Sequence, residues 1–151
     1  MSNHLHEKID FTADVFIIHN GKVLLRLHDK YNMWFGIGGH IEPDEDPVQT
    51  AIREAKEEVG LDIHLVGENK ILSDGTTELI TPFFMNRHQV NDSHEHINLI
   101  YFARADSDII IEEESEKSGG CKWLSLEEVE NSKEIIDRIK TYAIGALKTV
   151  I

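Results

Sequence analysis

Residues 36–61 read G-I-G-G-H-I-E-P-D-E-D-P-V-Q-T-A-I-R-E-A-K-E-E-V-G-L, and the second half of this stretch predicts one short helix. Asp46 can accept hydrogen bonds from the free N–H groups of a first turn, Pro47 suits the first helical position, and Gly60 supplies the stop. At about 100° of rotation per residue, Val48, Ala51, Ile52, Ala55 and Val59 share an arc of roughly 100°, while Arg53, Glu54, Glu57 and Glu58 share another. The first arc is a core face. The second is unfavourable by itself: Glu54 and Glu58 are like charges four apart, Glu57 and Glu58 approach the negative end of the helix dipole, and Arg53 offsets little beyond Glu57. Such a run is often only a solvated face. Here three carboxylates at i, i+3 and i+4 converge on one spot, and hard divalent cations take oxygen ligands at short range, so a metal turns the repulsion into binding.

Ahead of the helix, Gly38-Gly39 lets a backbone carbonyl approach a metal or phosphate where a side chain would obstruct. The spacing from Gly39 through Glu45 to Arg53-Glu54, Ala55, Glu57-Glu58, Gly60 and Leu61 resembles the signature of the Nudix hydrolases without a gap. That resemblance implies an α/β fold, an α/β/α sandwich with a mixed central sheet between helices. It also implies metal-dependent hydrolysis of nucleoside diphosphates linked to another group. By motif position, Glu54, Glu57 and Glu58 would form the catalytic and metal-binding set, the Gly38 carbonyl would add a ligand, and Glu45 and Arg53 would pair to brace the loop beside Gly39. Three positions depart from the common form: Gly36-Ile37 stands where an apolar–Pro pair is frequent, Asp44 where Gly is, and Ala55 where a larger apolar residue is. Asp tolerates a left-handed turn, and Ala55 alters packing and not chemistry.

Outward from this segment, 151 residues suit a single domain spanning 1–151, since no second hydrophobic block justifies another. A net charge of −13 argues against binding long nucleic acids by their phosphates. Small phosphorylated nucleotides stay compatible with it, because a bound cation inverts the local field. Cys121 has no second cysteine to pair with, the start M-S-N-H-L-H-E-K-I-D lacks a signal-peptide pattern, and no apolar run is long enough for a membrane span. The expectation is a cytoplasmic protein with no membrane partner. Oligomeric state is open; a homodimer is common for chains of this size.

Residues 12–18 and 22–27 predict an antiparallel pair joined at His19-Asn20-Gly21. Arg26 and His28 share one face of the second strand and could reach a phosphate, or form a solvated face. Trp34 could stack on a base, although core packing suits it better. Residues 62–67 and 79–85 read as strands around the turn-like 73–76 segment, with Pro82 placing the second at an edge or bulge. A polar stretch, 88–96, precedes a strand at 97–104. His94 and His96 lie two apart and would point the same way in a strand, so they are candidates for lining the substrate pocket; without a third ligand in view, a metal site is the weaker reading.

The acid-rich segment 106–117 reads mainly as a solvated loop. The family resemblance, however, implies a glutamate shortly before the Trp-bearing strand that completes the metal site or acts as base. Glu116 stands closest to that place, with Glu113 and Glu114 as competitors. Ser125 and Glu128 form a capping box, and a longer helix is expected from Ser132, with Ile135, Ile136, Ile139, Tyr142, Ala143, Ala146, Leu147 and Val150 as its apolar stripe.

The function these readings imply is a Nudix-type pyrophosphohydrolase using Mg²⁺, with Mn²⁺ also suited to oxygen ligands, and with Glu54 or Glu116 as base. Nucleoside triphosphates, ordinary or oxidised, are the first substrate class, giving the monophosphate and pyrophosphate. ADP-ribose or a nucleotide sugar is the second. A Nudix-like module that senses a nucleotide without cleaving it is the contrasting class.

Overall fold

The computed structural model describes residues 8–113 and 117–150. Among the described residues, ten strands and three helices follow in order: β1 (Ile9–His19), β2 (Lys22–His28), β3 (Met33–Phe35), β4 (Ile37–His40), α1 (Pro47–Val59), β5 (Ile63–Leu65), β6 (Lys70–Ile71), β7 (Thr77–Glu78), β8 (Phe84–Asn91), β9 (His94–Ala105), β10 (Cys121–Leu124), α2 (Leu126–Asn131) and α3 (Asp137–Thr149). Eight strands form a mixed sheet in the order β10-β2-β1-β9-β5; β3 pairs with β2, β4 with β1, and β8 with β9. The β1–β9 pair is parallel, and the other pairs are antiparallel.

Strand alternation divides the apolar residues between the two faces of this sheet. Ala13, Val15 and Ile17 of β1, Leu24 of β2 and Tyr101 and Ala103 of β9 pack with Val48, Ala51, Ala55 and Val59 of α1. Phe16 and Ile18, Val23 and Leu25, and Ile100 and Phe102 of the same strands pack with Val129 of α2 and with Ile139, Tyr142, Ala143 and Ala146 of α3. The α/β/α sandwich follows from that division. Asn20 and Gly21 both take positive φ, 48° and 72°, which closes the tight β1–β2 hairpin.

Helix α1 starts and stops at its sequence signals. Asp46 accepts from the Gln49 amide in a capping box, and Gly60 ends the helix at φ 72°. Ile52, expected in the core, is exposed at 45 % because it sits at the margin of the apolar arc. Thr50 is buried instead, covered by the loop whose Glu45 accepts its hydroxyl at 2.7 Å.

Three other boundaries differ from expectation. The C-terminal helix starts at Asp137 rather than Ser132, because Ser132 Oγ accepts from the Glu134 amide in a local turn that competes with helix initiation. The strand expected at 79–85 is displaced: Thr77–Glu78 closes a small β6–β7 hairpin around the 73–76 turn, and the main sheet resumes after Pro82 at Phe84. The polar 88–96 stretch is neither loop nor linker. Its ends are strand, so His88 of β8 stands directly across from His96 of β9.

β4 approaches β1 and α1 very closely. A Cβ on Gly38 would lie 2.0 Å from Asp14 Oδ1 and 2.3 Å from the Ala13 carbonyl oxygen; one on Gly39 would lie 2.5 Å from Glu54 Oε1. The first collision is partly with backbone and the second with the end of a flexible side chain. Gly38→Ala is therefore expected to destabilise the fold by about 1–3 kcal/mol, the usual cost of overpacking. Gly39→Ala is expected to leave the melting temperature closer to wild type while displacing Glu54. Thermal melts of the two variants check this ordering.

Candidate active site

The charged face of α1 lies against the glycine strand. Gly38 N–H donates to Glu58 Oε1 at 2.9 Å, and Arg26 of β2 forms an ion pair with the other Glu58 oxygen. Glu58 has a side chain only 12 % exposed, and burial pushes its carboxyl up to about 8; the nearby Glu54 and Asp14 charges add to the rise, and Arg26 and the Gly38 amide oppose it. Glu54 is similarly covered and accepts from Arg53 Nη1 at 2.9 Å. Glu57 is half-exposed and sits 3.1 Å from the same nitrogen. Arg53 reaches further: it donates from Nε and Nη2 to Glu45, the latter at 2.7 Å, and from Nη2 to the His40 carbonyl at 3.1 Å. Its hydrogen bonds hold the Glu45 carboxyl down to about 2, so the loop, β4 and α1 share one guanidinium.

Two acids in this region carried no sequence signal. Asp14 pairs in register with Gly38 across β1 and β4, takes a hydrogen bond from Asn98 Nδ2 at 2.8 Å, and is pushed up to about 6 by burial. Its strand position reads as core, and only the β4 register brings it beside Glu58. Glu112 receives Arg26 Nε at 3.0 Å and Ser118 Oγ at 2.6 Å. Burial works upward on Glu112, but its hydrogen bonds together with the Arg26 charge outweigh it and hold the carboxyl below its usual value. Glu116 and Glu114 lie outside the described residues. Glu113 is exposed, and Glu112 reaches the Arg26–Glu58 pair instead. Cys121, near Glu112, has its thiol pushed up to about 11 by burial, which makes it a poor nucleophile.

A cavity of about 480 Å³ opens beside Gly38 and Gly39. Tyr31, Phe35 and Tyr142 supply aromatic surface, Asn98 and Gln89 supply polar groups, and Arg138 in the first turn of α3 supplies a cation. His28 and His96 line this cavity, and a smaller adjoining one is lined by Arg26, His28, Asp14 and Glu58. His94 stands at its edge through contact with His96, their rings 5.3 Å apart. Trp34 does not line the cavity and takes the core position that its sequence reading favoured. It is packed in the α3-side core with its indole N–H donating to Glu134, because strand alternation turns it away from Met33 and Phe35, which do line the cavity.

The residues present suit a hard divalent cation. Glu54, Glu58 and Asp14 crowd their charges around a backbone that lacks any Cβ, Glu58 is pushed toward its neutral form by that crowding and burial, and the donor set is all oxygen.

Residues 9–143 match the family model described as NUDIX domain. The chain belongs to the NUDIX family. A hydrolase of this family from Clostridium perfringens is 35 % identical, with a TM-score of 0.83, over 92 % of this chain and 96 % of that one. A Caenorhabditis elegans Ap4A hydrolase, described as a binary complex, has a TM-score of 0.62 at 20 % identity over 92 % of this chain and 93 % of its own, a likeness of fold. Among curated proteins, the asymmetrical bis(5'-nucleosyl)-tetraphosphatase of Sus scrofa is 40 % identical over 55 residues, 36 % of this chain. That match spans only a third of the relative's length, 33 %.

The buried charge at Glu58 leads to a pH dependence in metal-free protein. Folded Glu58 holds its proton to about 8 against an ordinary value of 4.5, so the folded chain binds more protons across that window. The stabilising contribution is complete below the ordinary value and is lost as pH rises through the folded one. In EDTA, the melting temperature should fall from pH 5 to pH 8.5, and Glu58→Gln should flatten that fall by at least about 2 °C, given roughly 2–4 °C per kcal/mol for a chain of this size. Paired thermal melts at the two pH values check this.

Proposed function

We propose that the chain cleaves the phosphoanhydride bond of a nucleoside polyphosphate, with nucleoside triphosphates as the first class, water entering and nucleoside monophosphate and pyrophosphate leaving. The observation that carries this reading is the position of Gly38: its amide donates to Glu58 of the α1 face, and Gly38 itself lines a cavity that combines aromatic, amide and cationic groups and adjoins the smaller one lined by Glu58. The larger cavity's volume lies within the range of about 300–1,000 Å³ usual for small-ligand sites. Tyr31, Phe35 or Tyr142 would stack a base, and Arg138 would meet phosphate.

Glu54, Glu57, Glu58 and the Gly38 carbonyl would hold Mg²⁺ or Mn²⁺, which when bound supplies charge neutralisation on the phosphate oxygens. Glu54 is the preferred proton acceptor for the attacking water. It lies on Gly39 and is oriented by Arg53, which Glu45 in turn fixes. Glu112, in contrast, already accepts from Arg26 and Ser118 and is held in its weakly basic form. Arg26 and His28 would face phosphate from β2, Arg26 being available to the extent that a cation relieves it of Glu58.

A second reading, asymmetric cleavage of a dinucleoside tetraphosphate, is favoured by the local likeness to the Sus scrofa enzyme, which covers 33 % of that relative's length. The test is a screen of purified protein with Mg²⁺ against nucleoside triphosphates, dinucleoside polyphosphates, ADP-ribose and nucleotide sugars, with products identified by mass. Triphosphates should be cleaved to monophosphate and pyrophosphate; turnover of dinucleoside tetraphosphate in preference to them would move the assignment to the second reading. Glu54→Gln and Glu57→Gln should each lower kcat by about 100-fold or more, the usual scale for losing an acid–base group, with melting temperatures near wild type. Full activity in Glu54→Gln would remove it as the base.

A further inference from the structure

Four side chains outside the glutamate face meet where β4 ends and β9 begins. Asp10 of β1 pairs in register with His96 of β9. His40 is the last residue of β4, on the other side of β1, and His94 is the first residue of β9, two before His96 and so on the same face. One ligand atom from each of Asp10, His40, His94 and His96 lies within 4.8 Å of every other. His94 Nε2 is 2.8 Å from Asp10 Oδ2, and His40 Nε2 is 3.6 Å from the same oxygen. The His96 ring stands nearly perpendicular to both His40, at 90°, and His94, at 85°, so the three imidazoles meet edge to face rather than stacking.

We propose that Asp10, His40, His94 and His96 form a transition-metal site of the Zn²⁺ type, separate from the carboxylate site on α1. Three imidazoles with one carboxylate suit Zn²⁺ and not Mg²⁺, whereas the all-oxygen set of Glu54, Glu57, Glu58 and Gly38 has the opposite preference. Tetrahedral Zn²⁺ with bonds near 2.0–2.1 Å places its ligand atoms about 3.3 Å apart. Closing from 4.8 Å needs only side-chain rotation, and His40, with its side chain 59 % exposed, is free to make it. Behind the site, His88 packs its ring 5.4 Å from that of His96 and is itself held by Asn86 at 2.7 Å, which limits how far His96 can turn. His40 follows Gly38 by two residues, roughly 7 Å along a strand, so the two metals would be neighbours that do not share a ligand. His40 and His96 also line the large cavity, and a cation there would place positive charge at its rim in a chain of net charge −13.

This site does not depend on which nucleotide is cleaved, and its test reads metal rather than turnover. Tag-free protein, stripped with chelator, is titrated with Zn²⁺ by calorimetry and with Co²⁺ by visible absorption, in wild type, in Glu57→Gln/Glu58→Gln, and in His40→Gln and His94→Gln separately. The glutamate double variant should retain one Zn²⁺ equivalent and the intense ligand-field bands of four-coordinate, nitrogen-ligated Co²⁺. His40→Gln and His94→Gln, at exposed or part-exposed positions that leave the fold unburdened, should each weaken Zn²⁺ by at least about tenfold and change those bands. Zn²⁺ binding that vanishes with the two glutamates, or that is unchanged in both histidine variants, overturns the proposal.

Discussion

β4 has no room for a side chain at two successive positions. On one side of it runs β1, with Ala13 and Asp14 against Gly38; on the other lies α1, with Glu54 against Gly39. This close approach brings the Gly38 amide within hydrogen-bond distance of Glu58 and sets the spacing between sheet and helix across the α1-side core. A larger residue at either position would separate the backbone from the carboxylates, and the site would lose the geometry on which its chemistry rests.

The crowding has an electrostatic consequence. Glu54, Glu58 and Asp14 share a small volume with Arg26, Arg53 and Arg138 nearby, and the Glu58 and Asp14 carboxyls are pushed up toward protonation. Such an arrangement is costly in a metal-free chain, and a divalent cation bound there would offset the repulsion and so couple its binding to folding. Arg53 has a different task. By holding Glu45, Glu54, Glu57 and the His40 carbonyl together, it ties the loop before α1 to the carboxylate face of the helix and to β4.

At the rim of the large cavity, the β8–β9 hairpin gathers histidines that are scattered along the chain. His88 and His96 come together by register, and His40 and Asp10 join them because β4 and β9 both flank β1. The cavity therefore has an imidazole-rich rim, and its wall includes Gly38 and Gly39, which contact Glu58 and Glu54.

Much of this was legible from residues 36–61. The caps at Asp46 and Gly60, the apolar arc, and the convergence of Glu54, Glu57 and Glu58 depend on spacing within a single helix, and a helix translates spacing into geometry directly. The Asn20-Gly21 hairpin is legible for the same reason, since a tight turn is a property of two residues. Asp14, Glu112 and the approach of Asp10 and His40 to His94 and His96 were not legible, because each owes its place to strand register or a loop return over more than twenty residues, which local pattern does not encode. Trp34 illustrates the remaining gap: its aromatic character was plain, but which face of the sheet it occupies was decided by the phase of β3 against β2. The sequence by itself determined the family, the helix and its carboxylate face; the tertiary structure decided which distant side chains complete the site, because only packing of the strands brings them within reach.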